Sequence, residues 1–479
     1  MVGRSLVRPL FGGLEHGSNR DPAEVLLRGN TSRLGSRIWD SPVGLFWHRV
    51  CVAWAAVGEH GDPLAPRHTR PLSVCHVWDD EYPWDVRVEK IARALAAAGH
   101  KVSIVARNQT GRARIERLPE ASVHRLATWK WAPRWLNAAS MFPAFFNPRW
   151  ASAILTTARH TQADVIVCRD LPLAATAIYA GWRLGLPVMI DNAENYPAML
   201  RSRWDVGRMH ATDALVRNPR FARSVERWLL HRVDHMLVVV EEARQRLIAL
   251  GLPEEKISIV SNTPPRERLQ ASPSRAHRDG REVHIVYLGL MEEQRGVRML
   301  LEGAAELARR GMACRLTLFG GGRELDDFRR HARALRLSGS MAEFRGPVPN
   351  PQVHAALREA DIGVIPHVPD ESWNTTVPNK LFDYMAAGLA VVTSDARPCA
   401  RIVRETGAGL VFRYPDARDL ADAIQALADP ARRAQCAERG QAAIRVTYNW
   451  EADSARLLDA IDRVASGCRD GIVGQEVAS

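Results

Sequence analysis

Residues 72–106 read LSVCHVWDDEYPWDVRVEKIARALAAAGHKVSIVA. The first six residues form a mostly apolar run that predicts a buried strand, and KVSIVA predicts a second one. Between them, VRVEKIARALAAAG has apolar residues at helical spacing and ends at Gly99. Two strands joined through a helix in this way pair in parallel with a right-handed crossover. The stretch therefore predicts the βαβ start of a parallel sheet.

The same alternation of strands and helices continues along the chain in two series. Further strands are predicted at ADVIVC (163–168), LPVMID (186–191), DHMLVVV (234–240), KISIV (256–260), VHIVYLG (283–289), CRLTLFGGG (314–322), ADIGVIP (360–366) and LAVVT (389–393). A stretch rich in Pro, Ser and Arg (263–282) separates the two series and predicts a linker. We therefore expect an α/β fold of two doubly wound, Rossmann-like domains that face each other across a cleft.

Composition narrows the class of protein. The chain has 479 residues, enough for two cores, and its net charge of +11 with a pI near 9.7 favours anionic partners. The seven cysteines are scattered, which indicates reduced thiols of a cytoplasm rather than a disulfide framework. Because the apolar segments are too short to span a bilayer and the first residues lack the compact apolar core of a signal peptide, we expect a protein that is not integral to the membrane. The positive charge alone also suits nucleic acid, but no recognised motif supports that partner.

Two loops that follow predicted strands of the second series have residues suited to an anion. In YLGLMEEQRGVRML (287–300), Gly289 ends a strand and Arg295 precedes a helix start, where the helix dipole and free N–H groups also attract phosphate. The loop FGGGRELDDF (319–328) places Gly321 and Gly322 in a strand-to-helix turn. The alternatives are an exposed loop arginine and an ordinary tight turn.

A third such segment is TTVPNKLFDYMAAGLAVVTSD (375–395). Its two threonines can cap a helix, and Pro378 suits a first helical turn. Lys380 and the helix start can bind a diphosphate, while Asp383, one turn further on, can accept hydrogen bonds from a ribose diol. The alternative is a surface ion pair between Lys380 and Asp383 at i,i+3 spacing. The presence of three such loops at successive strand ends favours a ligand site.

The segment VPNKLFDYMAAGLAVVTSD resembles the donor-site signature of glycosyltransferase family 4, whose members have the two-domain GT-B fold. The similarity extends over roughly residues 71–466. It includes YPWDVRVEKIARALAAAGHKVSIV near the start, DHMLVVVEEARQRLIALGLPEEKISIVSN before the linker, IVYLG…RGV after it, and ADIGVIP. It implies a retaining enzyme that transfers a sugar from a nucleotide-diphosphate sugar. It also implies no cofactor and no catalytic metal, because basic residues and helix ends stabilise the departing diphosphate.

The resemblance assigns roles to individual residues. Arg295, Lys380 and Glu194 are the expected catalytic residues. The expected donor-binding residues are Gly289, Arg295, Gly321, Gly322, Arg345, Thr375, Thr376, Val377, Pro378, Lys380 and Asp383, and the expected acceptor-binding residues are Trp84, Arg87, Asn192 and Glu194. For Glu194, a carboxylate that only stabilises a helix start is the alternative. The chain departs from the family pattern at Thr375, where many members have an acidic residue, and at Leu290, where many have arginine.

The resemblance also implies a division of the chain. We expect a poorly ordered extension (1–70), an acceptor domain (71–262), the linker (263–282), a donor domain (283–448), a helix that crosses back to the first domain (449–466) and a tail (467–479). The expected setting is the cytoplasm, in bacterial cell-surface polysaccharide biosynthesis, with a glycan or lipid-linked acceptor. The Trp- and Arg-rich stretch TWKWAPRWLNAASMFPAFFNPRW (128–150) suits peripheral contact with the inner membrane face, or packing under a loop. A non-catalytic sugar- or lipid-binding partner and a nucleotide-sugar epimerase are the alternative functions.

Overall fold

The computed structural model describes residues 70–83, 85–129, 131–205, 218–269, 282–337, 339, 341–348, 352–357 and 359–476. Trp84, nearly all of the predicted N-terminal extension and most of the predicted linker lie outside the described residues. The described residues belong to one compact unit, Glu59–Ser479. None of the helices in this part of the chain combines the length and the apolar composition needed to cross a membrane.

The first sheet has eight strands: β1 (Ser73–Val77), β2 (Lys101–Ala106), β3 (Ile115–Arg117), β4 (Ser122–Arg125), β5 (Val165–Arg169), β6 (Val188–Asn192), β7 (His235–Val238) and β8 (Ile257–Ile259). Their order is β3-β4-β2-β1-β5-β6-β7-β8, and only the β3–β4 pair is antiparallel. Val74 pairs with Val102 on one side and with Val165 on the other. The sequence analysis missed β3 and β4, because these short, partly exposed strands at one side of the sheet have no continuous apolar run.

Helices cover both faces of this sheet: α1 (Val86–Ala97), α2 (Arg134–Ser140), α3 (Pro148–His160), α4 (Ala174–Leu184), α5 (Tyr196–Asp205), α6 (Pro219–Leu230) and α7 (Glu241–Ala249). Asp85, Asn147 and Asn218 cap α1, α3 and α6, since each side chain accepts hydrogen bonds from two N–H groups of the first turn. The cap at Asp85 makes α1 begin directly after the loop that follows β1. That start fixes the direction in which Arg87 projects.

The second sheet has six strands: β9 (Val283–Leu288), β10 (Cys314–Phe319), β11 (Ala342–Arg345), β12 (Ile362–Ile365), β13 (Ala390–Ser394) and β14 (Gly409–Phe412). Their order is β11-β10-β9-β12-β13-β14, and all pairs are parallel. The helices that pack on it are α8 (Val297–Arg309), α9 (Leu325–Ala334), α10 (Val353–Leu357), α11 (Lys380–Ala386), α12 (Arg397–Thr406), α13 (Ala417–Ala426) and α14 (Pro430–Val446).

The last helix, α15 (Trp450–Glu476), leaves the second sheet and packs on the first. Leu457 and Ile461 are buried in the same apolar cluster as Val88 and Leu95 of α1. At its first turn, Asp453 accepts hydrogen bonds from the Ser261 N–H at 3.1 Å and from the Thr263 hydroxyl. The prediction of an α/β fold with two parallel-sheet domains and a returning C-terminal helix is confirmed.

Local propensity misled the prediction at the start of α11. We expected Thr375 and Thr376 to cap a helix beginning at 376–379, but α11 begins at Lys380 and its cap residue, Asn379, makes no side-chain cap hydrogen bond. The Thr376 hydroxyl donates instead to the Ala193 carbonyl, 3.0 Å away at the end of the first sheet. A tertiary contact therefore replaces the expected local one.

Candidate active site

Loops that follow β9, β10 and β12 meet at the carboxyl edge of the second sheet. The Met291 N–H donates to the Gly321 carbonyl at 2.9 Å, and the Val368 N–H donates to the Gln294 carbonyl at 3.1 Å. The predicted segments 287–300 and 319–328 are therefore adjacent. Doubly wound sheets bind their ligands at this edge.

Two glycines allow the backbones of these loops to approach each other. A Cβ at Gly320, where φ is 142°, would lie 1.8 Å from the Gly289 carbonyl oxygen, so no larger residue fits. A Cβ at Gly289 would lie 2.9 Å from Lys380 Nζ. Gly321 faces open space, whereas Gly322 packs closely on the next loop. The Lys380 ammonium group thus lies against the backbone at the end of β9.

The side chain of Lys380 is buried and unpaired. The residue is 6% exposed, and its Nζ has no hydrogen-bond partner among the described residues. Nζ lies 4.1 Å from the ring centre of Tyr287, which supplies only a cation–π contact. The pKa of Lys380 lies well below its ordinary value, mainly because the side chain is buried and secondly because the positive charge of Arg295 is nearby. The predicted alternative, a surface ion pair with Asp383, is therefore wrong.

Two further groups lie near Lys380. The Arg295 guanidinium is 5.3 Å from the ring centre of Trp373, and its Nε is 3.4 Å from the Glu292 carboxylate. The His367 ring packs 3.8 Å from the same tryptophan, is fully buried and has no partner on either nitrogen among the described residues. The pKa of His367 lies well below its ordinary value, mainly because the ring is buried and secondly because the charges of Lys380 and Arg295 are nearby. An anion entering here would satisfy all three groups at once.

Sequence reasoning missed His367. The signal was available, because a polar side chain follows the buried strand β12 at the same carboxyl edge as the other loops. A single histidine without a spacing pattern did not reveal it.

Asp383 faces the first domain rather than Lys380. Burial raises the pKa of its carboxyl group to about 6, while Lys90 of α1 and Arg268 oppose the shift. Lys90 itself donates to the Thr263 carbonyl at 2.6 Å and lies 5.1 Å from the Trp450 ring centre. A half-buried carboxylate facing the cleft between the domains can accept two hydrogen bonds from a diol.

The other predicted donor residues have varied surroundings. Arg345 pairs with Glu343 at 2.9 Å on the exposed end of β11. Val377 and Pro378 are buried next to α11. The Thr375 hydroxyl accepts a hydrogen bond from Asn195 Nδ2 at 3.1 Å. Together with the contact between Thr376 and Ala193, this bond joins residues 375–395, here called the donor segment, directly to the loop that follows β6.

Arg87 differs from the expectation that it faces the acceptor. It is 2% exposed, and its Nε lies 2.9 Å from both carboxylate oxygens of Asp191. Arg169 approaches the same carboxylate at 3.3 Å. Burial raises the pKa of Asp191, but the two guanidinium groups outweigh it and hold that pKa below its ordinary value. Because α1 begins directly after its cap residue Asp85, the Arg87 side chain points toward Asp191 at the carboxyl end of β6. The contact between Arg87 and Asp191 is therefore structural.

The remaining predicted acceptor residues lie at the end of β6. Asn192 is its last residue and is 6% exposed, whereas Glu194 is exposed two residues later. Ala193, between them, contacts the donor segment through its carbonyl oxygen. Trp84 lies outside the described residues, so its predicted role stays a prediction.

Two family models match the two halves of the chain. Residues 85–263 match "Glycosyl transferase 4-like domain", and residues 282–429 match "Glycosyl transferases group 1". The phosphatidyl-myo-inositol mannosyltransferase of Mycolicibacterium smegmatis is 32% identical over 39% of this chain and 46% of its own length. The putative colanic acid biosynthesis glycosyltransferase WcaL of Escherichia coli is 25% identical over 49% of this chain and 58% of its own length. The chain thus spans about half the length of these curated relatives.

Solved structures share the fold. Sucrose-phosphate synthase from Thermosynechococcus elongatus superposes with a TM-score of 0.65 at 17% identity, covering 83% of this chain and all of that one. Anabaena HepE in complex with UDP and glucose superposes with a TM-score of 0.60 at 11% identity, covering 82% of this chain and all of that one. The predicted GT-B fold is confirmed. The chain therefore has the GT-B fold, and its two halves match a glycosyl transferase 4-like domain followed by a glycosyl transferases group 1 domain.

Proposed function

We propose that this protein is a retaining glycosyltransferase of family 4. In this proposal it moves a sugar from a nucleotide-diphosphate sugar to a glycan or lipid-linked acceptor in bacterial cell-surface polysaccharide biosynthesis. The main support is the buried, unpaired amino group of Lys380 beside Arg295 and His367. The matched relatives support the substrate classes, because one is named for phosphatidyl-myo-inositol, one for colanic acid, and HepE holds UDP and glucose.

In the proposed reaction, Lys380 and Arg295 neutralise the departing diphosphate, so that no metal ion is required. The bond between the anomeric carbon and the phosphate oxygen breaks, and the acceptor oxygen attacks from the same face. The acceptor proton passes to the diphosphate oxygen that leaves. Positive groups in a water-poor site stabilise this developing charge strongly.

Asp383 would accept hydrogen bonds from the ribose hydroxyls. Glu194 is exposed where the loop that follows β6 meets the donor segment, and it would orient the acceptor hydroxyl. Asn192, the last residue of β6, lies beside Glu194. Thr375 stands where many relatives have an acid. Its side chain already contacts Asn195, so we propose no direct hydrogen bond from Thr375 to the sugar.

Calorimetric titration with UDP, GDP, ADP and TDP tests the donor site. We expect one nucleotide to bind and Asp383→Asn to weaken it about tenfold, because a charge-assisted hydrogen bond to ribose is lost. As pH drops below the Asp383 pKa of about 6, the affinity of the wild type should also fall relative to that of the variant, which lacks this titrating carboxyl group. The same raised pKa makes the free wild-type protein gain stability relative to the variant as pH falls from 6 toward 4.

The matched control is Asp422→Asn, which removes an exposed carboxylate on α13 that pairs with Arg310 after the end of α8 and should leave affinity unchanged. If all four nucleotides fail to bind the folded wild-type protein, the proposal is wrong. If one binds but no sugar is transferred or hydrolysed, the non-catalytic alternative replaces it.

We also propose peripheral association with the inner face of the cytoplasmic membrane. Trp131 and Trp135, both in the 128–150 stretch, are 76% and 71% exposed, and Arg149 lies 4.1 Å from the ring centre of Trp129. Exposed tryptophans beside arginines suit the interface of an anionic bilayer.

Co-sedimentation with phosphatidylglycerol vesicles tests this association. The double variant Trp131→Ser/Trp135→Ser should bind at least fivefold less. Trp182→Ser, equally exposed on α4, should bind like the wild type. Equal binding of the double variant and the wild type, or binding only through Trp182, would contradict the assignment.

A further inference from the structure

Asp170 has a backbone conformation that is unusual for any residue but glycine. Its φ is 55° and its ψ is −178°, a combination that crowds Cβ and is essentially restricted to glycine. It directly follows β5, which lies between β1 and β6 in the middle of the first sheet. Such strain persists where the side chain serves a purpose that glycine cannot serve.

Hydrogen bonds fix one side of the Asp170 carboxylate. Its Oδ1 accepts from the Ala193 N–H at 3.0 Å, and its own N–H donates to the Asp191 carbonyl at 3.0 Å. Its Oδ2 is 3.4 Å from Arg169 Nε, which is longer than an ordinary hydrogen bond. The side chain is 17% exposed. One carboxylate oxygen is thus tied back, and the carboxylate remains partly open to solvent.

The position of Asp170 links it to both substrates of the proposed reaction. Ala193, whose N–H binds Asp170, accepts through its carbonyl oxygen the hydroxyl of Thr376 in the donor segment. Ala193 alone therefore lies between the Asp170 carboxylate and Thr376 of the donor segment, and Glu194 follows Ala193 in the chain. Burial raises the pKa of Asp170 to about 7, with Arg169 opposing the shift and Glu194 adding to it.

We propose that Asp170 is a second acceptor-binding carboxylate, whose Oδ2 accepts a hydrogen bond from a hydroxyl group of the incoming glycan or glycolipid. The bond holds that hydroxyl beside Glu194 and next to the donor segment. This inference rests on the proposed transferase function and adds to it a residue that binds the acceptor. Sugar and polyol hydroxyls suit the site because they donate to a carboxylate without requiring a second charge.

Initial-rate kinetics test the proposal with Asp170→Asn, Asp170→Gly and Gln162→Gly. The donors are UDP-glucose, UDP-galactose and GDP-mannose, and the acceptors are octyl glucoside, octyl mannoside and phosphatidylinositol vesicles. Asn preserves the shape and the bond to Ala193 but replaces the accepting Oδ2 with an NH2 donor. Gly fits the backbone angles but has no side chain. Gln162, exposed with φ of 49°, is a strained residue before the amino end of β5, away from the carboxyl ends of the strands, and serves as the control.

Both Asp170 variants should raise the acceptor KM at least tenfold while the donor KM changes less than twofold. Asp170→Gly should melt no lower than the wild type, because glycine relieves the strain, and Gln162→Gly should leave both KM values unchanged. Transfer with an unchanged acceptor KM in Asp170→Asn, or a melting temperature of Asp170→Gly well below the wild type, would overturn the inference alone. Absence of transfer by the wild-type protein would overturn the proposed function with it.

Discussion

Replacing Lys380 with methionine is expected to weaken nucleotide binding strongly and, at the same time, to stabilise the protein. Methionine keeps the unbranched apolar stem but removes the Nζ, which is buried without a hydrogen-bond partner among the described residues. Losing the charge-assisted bonds to a diphosphate should cost about 100-fold in affinity. Removing an unsatisfied buried polar group should raise the free energy of unfolding by roughly 1–3 kcal/mol. Calorimetry and denaturant unfolding measure the two effects.

The control for this substitution is Lys256→Met. Lys256 donates to the Val233 carbonyl at 3.1 Å, far from the strand-end loops of the second sheet, so its loss should leave affinity unchanged and stability unchanged or lower. A Lys380→Met protein that binds nucleotide like the wild type would remove the main support for the donor site.

The lowered pKa of Lys380 leads us to expect that the protein takes up a proton when a diphosphate binds. Because burial holds its pKa well below the ordinary value, the free folded protein binds fewer protons than the unfolded chain, and stability should rise as pH increases toward 10. A bound diphosphate favours the charged ammonium group and raises that pKa again. The binding enthalpy of the wild type should therefore differ between buffers of different ionisation enthalpy that do not compete for an anion site, such as MOPS and Tris. This difference should shrink in Lys380→Met.

The sequence predicted most reliably those parts of the fold in which apolar residues recur at strand or helix spacing. Apolar runs of strand length, separated by helical patterns, gave both parallel sheets and located the loops at their carboxyl edges. The chemistry of Gly289, Arg295 and Lys380 followed from that placement, because residues that end neighbouring parallel strands lie together whatever their separation in sequence.

What sequence could not predict depends on distant partners. Nothing near Arg87 indicates that its guanidinium binds Asp191, which is 104 residues later in the chain. Thr376 has a strong local preference to cap a helix, yet a carbonyl of the other domain accepts its hydroxyl hydrogen. Asp170 looks ordinary as a residue type, and only its backbone angles mark it. In each case a tertiary contact overrides or supplements a local signal.

The ion cluster around Asp191 should be the most sensitive point of the first domain. Its carboxylate is completely buried between Arg87 and Arg169, so Asp191→Ala leaves two buried guanidinium groups without their shared partner. We expect a loss of roughly 3–5 kcal/mol in the free energy of unfolding. Because the folded pKa of Asp191 is lowered, its stabilising contribution should be present above pH 4 and disappear as pH falls through that folded value.

A double variant distinguishes the net contribution of the ion pair from the cost of leaving a buried charge unpaired. Arg87→Met combined with Asp191→Leu should recover much of the stability lost in Asp191→Ala, because apolar side chains of similar volume replace a buried pair at little cost. The control is Asp326→Ala, whose exposed pair with Arg329 at 3.2 Å should contribute less than about 1 kcal/mol. If Asp191→Ala costs no more than Asp326→Ala in urea unfolding, the ion cluster does not stabilise the carboxyl ends of these strands.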